Sequence, residues 1–308
     1  PLNEEEKVKQ NEIKQFLANR TFQKWIDKEE WLKVTNAIYK EVKENKRKLD
    51  DENFKLLLFA ENQKTGRAKY NGILDAYALL EKYDKQKTLT LESQIDQGYA
   101  AEKLGGYKRA KIYYRRALKK AKDENVDLIL QLVVELERLY ERTKDHKGLV
   151  NIYKRAFGAL KKSSRPKKDL RTYAYLIGYH QFFHLKQNKD AKIWLLRSDG
   201  GGSSTQELQS AYWIAKLDQL AKKPKMALKR LKELSGRKIS KKSSLYVQIH
   251  FELGTLYHLK ENWDSALKHY RFAAKASAPE EFKKIQSAAE ENAKEISDYL
   301  KSIEAAQG

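Results

Sequence analysis

The stretch "FELGTLYHLKENWDSALKHYRFAAKASAP", residues 251–279, sets small side chains at Gly254, Ala266 and Ala273 and aromatic ones at Tyr257 and Tyr270. Small residues in those places let two antiparallel helices approach closely, while the two tyrosines fill the space beside them. Pro279 closes the pattern. The spacing therefore predicts a helical hairpin, and the question is whether the chain contains others like it.

It does. In "DQGYAAEKLGGYKRAKIYYRRALKKA", Gly98 is followed at the same offset by Ala110, then Tyr114 and Ala117, with the turn Leu104-Gly105-Gly106-Tyr107 between the helices. A third copy, "ELERLYERTKDHKGLVNIYKRAF", has Leu136, Tyr140, Tyr153 and Ala156, with Leu149 where the alanine would be. Weaker copies centre on Ala191 and Ala227, and an earlier one on Ile73 with Tyr77 and Leu80. The anchors Ile73, Ala110, Leu149, Ala191, Ala227 and Ala266 lie 37, 39, 42, 36 and 39 residues apart.

The pattern L-G-x2-Y, then A-x3-F and a late Pro, resembles the tetratricopeptide repeat, although the period drifts above that family's length of about 34. The resemblance covers roughly residues 50–280 well and the first 50 poorly. It implies an all-α, right-handed superhelical solenoid of about six to seven antiparallel helix pairs. Residues 1–50 are expected to form an N-terminal helical region, a degenerate repeat or cap. Residues 51–279 form the repeat array and 280–308 a polar C-terminal capping helix, which such arrays need at their ends.

Composition agrees with long helices. The 308 residues include only 14 Gly and 4 Pro, 34% are charged and 41% hydrophobic, ample for a core. There is no cysteine, which excludes disulfides, thiol nucleophiles and thiolate metal sites. No segment reaches the roughly 18 uncharged apolar residues of a spanning helix. The sequence starts at Pro1 without a basic and apolar leader, as expected of a chain from which a signal peptide or anchor has been cut. Zero cysteine and abundant lysine point to an extracytoplasmic setting, a bacterial periplasm or a lipoprotein, over the cytoplasm.

In the tetratricopeptide family the first helix of each pair lines a concave groove. Carried onto this chain, that register points Tyr99, Arg138, Tyr173, Leu176, His180, Phe183, Tyr212, Lys216, Phe251, Thr255 and His258 toward the groove. Such side chains combine contact area with a polar handle, as peptide binding requires. The other reading of these aromatics is packing between neighbouring repeats. The family's carboxylate clamp of groove Lys and Asn residues is not recognisable here.

The net charge of +21, from 63 Lys and Arg against 42 Asp and Glu, would attract nucleic acid, anionic lipid or an acidic protein. A basic edge is expected from Lys108, Arg109, Lys111, Arg115, Arg116, Lys119 and Lys120 on a second helix. The connectors add Lys161, Lys162, Arg165, Lys167 and Lys168, and then Arg237, Lys238, Lys241 and Lys242. Lysine-rich loops also simply keep an array soluble. "KKSSRPKK" looks like a nuclear-import signal and "NRT" at Asn19 is a formal glycosylation sequon, but both patterns are short.

Two features break the repeat. "RSDGGGSSTQE", residues 197–207, is the only Gly/Ser-rich segment, and its core 199–204 reads either as a natural flexible loop or as an engineered linker. "YHQFFHL", residues 179–185, sets His180 and His184 one helical turn apart, as in HExxH zinc hydrolases, but Gln181 stands where the general base would be. With no third ligand nearby in sequence, it reads as part of a peptide-binding wall whose imidazoles make binding sensitive to pH near 6. No phosphate loop, nucleophile elbow or acidic metal loop is present. The expectation is a non-enzymatic protein without cofactor or metal, acting as an adaptor for an acidic or amphipathic protein or peptide. The alternative is a nucleic-acid-binding repeat protein using the basic edge, and a further expectation is self-association through the ends of the array.

Overall fold

The computed structural model describes residues 23–277 and 279–307. Asn19, with its sequon, lies outside them, as do residues 1–22 of the expected N-terminal cap. Among the described residues the secondary structure is helical throughout, in fifteen α-helices and two 3-10 turns. The chain divides into two compact units, Pro1–Leu139 and Tyr140–Gly308.

The first unit holds α1 (Gln23–Asp27), α2 (Trp31–Lys43), α3 (Asp51–Gln63), α4 (Gly66–Tyr83), α5 (Leu91–Lys103), α6 (Tyr107–Lys120) and most of α7 (Val126–Arg142). Each helix from α1 to α5 packs on its successor. Their apolar stripes make one core, in which Val34, Ile38, Leu57, Ala60, Ala76 and Leu80 are sealed from solvent. Tyr77, 3% exposed, keeps its hydroxyl satisfied by donating to Asp96 at 2.7 Å.

The second unit continues with α8 (His146–Lys162), α9 (Lys167–Phe183), α10 (Asn188–Ser198), α11 (Thr205–Leu220), α12 (Pro224–Ser235), α13 (Ser244–His258), α14 (Trp263–Ala274) and the long α15 (Lys283–Gln307). From α8 onward each again packs on the next, and in addition α9 touches α11 and α13 touches α15. Successive first helices therefore lie side by side.

One turn recurs between the helices of a pair. A residue with left-handed φ stands two positions before the second helix: Gly105, Lys144, Lys186, Lys222 and Glu261, with φ between 51° and 81°. The amide that follows closes back five residues, Gly106 onto Ala101, Asp145 onto Tyr140, Lys223 onto Asp218 and Asn262 onto Tyr257. This is the 6→1 bond of a Schellman stop, which satisfies carbonyls the helix end would orphan. Glu29 repeats it before Trp31, with Glu30 closing onto Trp25, so α1 and α2 are joined by the same turn as the later pairs. After α9 the amide of Gln187 instead reaches back six residues to Gln181, so this pair carries one extra residue.

The six anchors all fall on second helices, Ile73 at 4% exposure and Ala110, Leu149, Ala191, Ala227 and Ala266 at 0%. Four residues on from three of them, a large side chain fills the notch left by a glycine on the first helix. A Cβ on Gly98 would come within 2.7 Å of Tyr114, on Gly178 within 2.7 Å of Leu195, and on Gly254 within 2.6 Å of Tyr270. Only glycine allows that approach.

Candidate partner-binding face and histidine cluster

In the second unit the first-helix face is built by α9, α11 and α13. Phe183, half-buried on α9, meets Trp213 of α11 edge-on with centroids 4.7 Å apart, and Tyr179 lies 4.7 Å from Phe183 on the other side. Phe182 also reaches Trp213, at 5.7 Å. Trp213, which the sequence register did not single out, is thus the centre of an aromatic band joining two pairs. Tyr173, Leu176 and Phe251 are likewise half-buried, with Phe251 5.8 Å from Tyr270. Thr255 is half-buried and its hydroxyl donates to the Phe251 carbonyl, while His258 rests 5.2 Å from Trp263.

Two residues of the expected groove lie deeper. Tyr212 is 4% exposed within the α11–α13 core, and burial raises its phenol far above the ordinary range. His180 is 8% exposed. Lys216 is held at 2.5 Å by Glu252, which also accepts from Gln219 at 2.9 Å, so this cation ties α11 to α13. In the first unit Tyr99 is exposed beneath the ammonium of Lys103, and Arg138 is exposed and ion-paired with Glu102 and Glu135.

Most of the basic residues are at the surface. Lys108, Arg109, Arg115, Arg116, Lys119 and Lys120 are exposed on α6, whereas Lys111 is half-buried. Lys108 and Arg109 also rim a cleft of about 600 Å³ floored by Leu74, Ala101 and Leu104. Lys161, Lys162, Arg165, Lys167, Lys168, Lys238, Lys241 and Lys242 are exposed too. Arg237 is not: it grips Asp199 in a fork at 2.8 and 3.1 Å. The same contact pins the Gly/Ser segment, whose far end is a capping box between Ser204 and Glu207, with Arg171 on Glu207 at 2.7 Å. These bonds, and the hydrogen bond from Ser204 foremost, hold the Glu207 carboxyl below its usual range.

"YHQFFHL" forms the end of α9, and there the fold supplies what spacing alone did not show. His146 opens α8 immediately after the Lys144 turn, with Asp145 capping the helix through a 2.8 Å bond from the Gly148 amide. Because α8 packs on α9, His146 lands against both histidines. Its Nδ1 is 3.1 Å from that of His180, and its ring stacks on His184 with centroids 3.7 Å apart and planes 6° from parallel. Burial, reinforced by His146 and His184, pushes His180 down to about 4, well below the pH 6 expected of a free imidazole. His184 is lowered as well, by desolvation first and then by His146 and Lys186.

Glycine notches filled by Tyr114, Leu195 and Tyr270, repeated Schellman turns and aligned first helices together decide the architecture. They are antiparallel helix pairs of the kind that the tetratricopeptide resemblance implies. No protein-family model matches the sequence, and no curated protein matches it. Solved structures similar to the chain include YrrB, described as a tetratricopeptide protein with an unusual peptide-binding site, at 15% identity and TM-score 0.43, covering 70% of this chain and 98% of that one. A Naa15/Naa10 complex bound to HypK-THB is 14% identical with TM-score 0.48, covering 85% and 39%. Yeast Tom70 is 12% identical with TM-score 0.41, covering 92% and 62%. At these identities and TM-scores they say nothing about ligands. Among the described residues no helix of the tetratricopeptide-type array is long and apolar enough to cross a membrane.

Proposed function

We propose that this chain is a non-catalytic scaffold that holds a segment of a partner protein along the first-helix face of α9, α11 and α13. The observation that carries the reading is the aromatic band of Tyr179, Phe183 and Trp213, in contact across two pairs and only half-buried. Each ring is anchored by packing, so little rotamer freedom remains to be lost when a partner covers it. Phe251 and Leu176 extend the apolar surface, and Tyr212 and His180 support it from beneath. The favoured partner is acidic or amphipathic, because the net charge is +21 and α6 and the connectors present exposed cations that speed encounter.

Peptides selected from a random display library against the full chain test this directly. The expected winners carry aromatic or aliphatic anchors beside Asp and Glu, and Phe183→Ala with Phe251→Ala weakens them at least tenfold. Arg115→Glu with Arg116→Glu slows association while leaving dissociation nearly unchanged. Winners indifferent to Phe183 and Phe251 would refute the reading. Tight binding of generic RNA that persists at about 200 mM salt would favour the basic edge as a nucleic-acid surface instead.

A further inference from the structure

We propose that His146, His180 and His184 form a mononuclear site for a divalent late transition-metal ion, zinc(II) foremost, with one coordination position left for water or for a side chain of a docked partner. The inference does not depend on the partner-binding reading. One nitrogen from each ring can be chosen so that all three lie within 4.8 Å of one another. Nitrogens bound to one tetrahedral ion at about 2.0–2.1 Å are separated by about 3.3 Å. The Nδ1 atoms of His146 and His180, 3.1 Å apart, already span such an edge. For His184 to join them, its exposed ring has to turn out of its stack on His146.

The local chemistry admits a metal ion between the rings in the place of a ring N–H proton. Two imidazole nitrogens at that distance cannot both present lone pairs; either a proton or a metal must lie between them. Three imidazoles without thiolate or carboxylate suit zinc, copper, nickel or cobalt rather than magnesium or calcium. His180 on α9 and His146, the first residue of α8, are fixed by helix geometry and by the Asp145 cap, while His184 at the C-cap of α9 turns to complete the set. His184 is exposed and His146 half-exposed, which gives the ion an entry path and a solvent-facing fourth position.

The test is a calorimetric titration of the tag-free full chain with zinc chloride, paired with cobalt(II) absorption spectra. One equivalent should bind, and cobalt should show the intense visible bands of a four-coordinate centre. His146→Gln and His184→Gln should each weaken zinc more than tenfold, while His258→Gln changes nothing. Because the buried His180 could fail to fold when replaced, the unsubstituted chain offers a second readout. Zinc should protect His146 and His184 from diethylpyrocarbonate, read by mass spectrometry, and leave His258 as reactive as before. No stoichiometric zinc binding, or binding untouched by either glutamine substitution, would overturn the proposal.

Discussion

His250 and His269 face each other between α13 and α14 with their Nδ1 atoms 2.9 Å apart, walled by Tyr246, Tyr257 and Phe272. Desolvation is the first cause that pushes both down to about 4; proximity of the other imidazole adds to it for His250, and Lys268 and Lys232 for His269. A histidine whose folded pKa lies below its unfolded value binds fewer protons when folded, so stability is full above about pH 6.5 and is lost as pH falls toward 4. His250→Gln with His269→Gln should flatten the dependence of unfolding free energy on pH across that window, each histidine accounting for about 3 kcal/mol at most, relative to the unsubstituted chain. An unchanged slope would mean the pair stays exposed to proton exchange. At this scale the sequence was legible where chemistry is written into residue type. Gly105 announces its left-handed turn, but Lys144, Lys186, Lys222 and Glu261 adopt the same conformation with no such signal, because the helix-stop bonds impose it. Tyr212 was misleading for the same reason: an aromatic at a groove register position looks identical whether it lines a surface or fills a core.

Helix pairs were readable from the buried anchors, since a small or aliphatic residue at each crossing is required by packing. Gly254 and Gly158 separate that requirement from mere helix propensity. Gly254→Ala would drive its Cβ to 2.6 Å from the Tyr270 ring, and should destabilise by about 1–3 kcal/mol. Gly158 meets nothing within 4 Å in the interior of α8, and Gly158→Ala should stabilise by about 0.5–1 kcal/mol. Chemical denaturation of the two variants distinguishes the cases; equal effects would mean Gly254 is not a packing notch. The same packing explains the missed histidine. His146 is 34 residues from His180, and nothing in either segment names the other; only the seating of α8 on α9 brings them together.

On the scale of the whole molecule, formal charge was legible but its availability was not. Of the basic residues expected along one edge, Arg237 is consumed in fixing the Asp199–Ser204 segment, as Arg171 is on its other side, so those cations serve folding. The exposed positive charge of α6 remains, and with it the expected salt sensitivity of association. The central claim is that the first-helix face binds a partner while the second helices do not. Exposed apolar residues on second helices, Ile193, Met226 and Phe272, provide an internal control. Hydroxyl-radical footprinting of the chain with a selected peptide should therefore lower oxidation of Phe183, Trp213 and Phe251 severalfold and leave Ile193, Met226 and Phe272 at their free rates. Protection of the second-helix residues, with Phe183 and Trp213 unchanged, would contradict it.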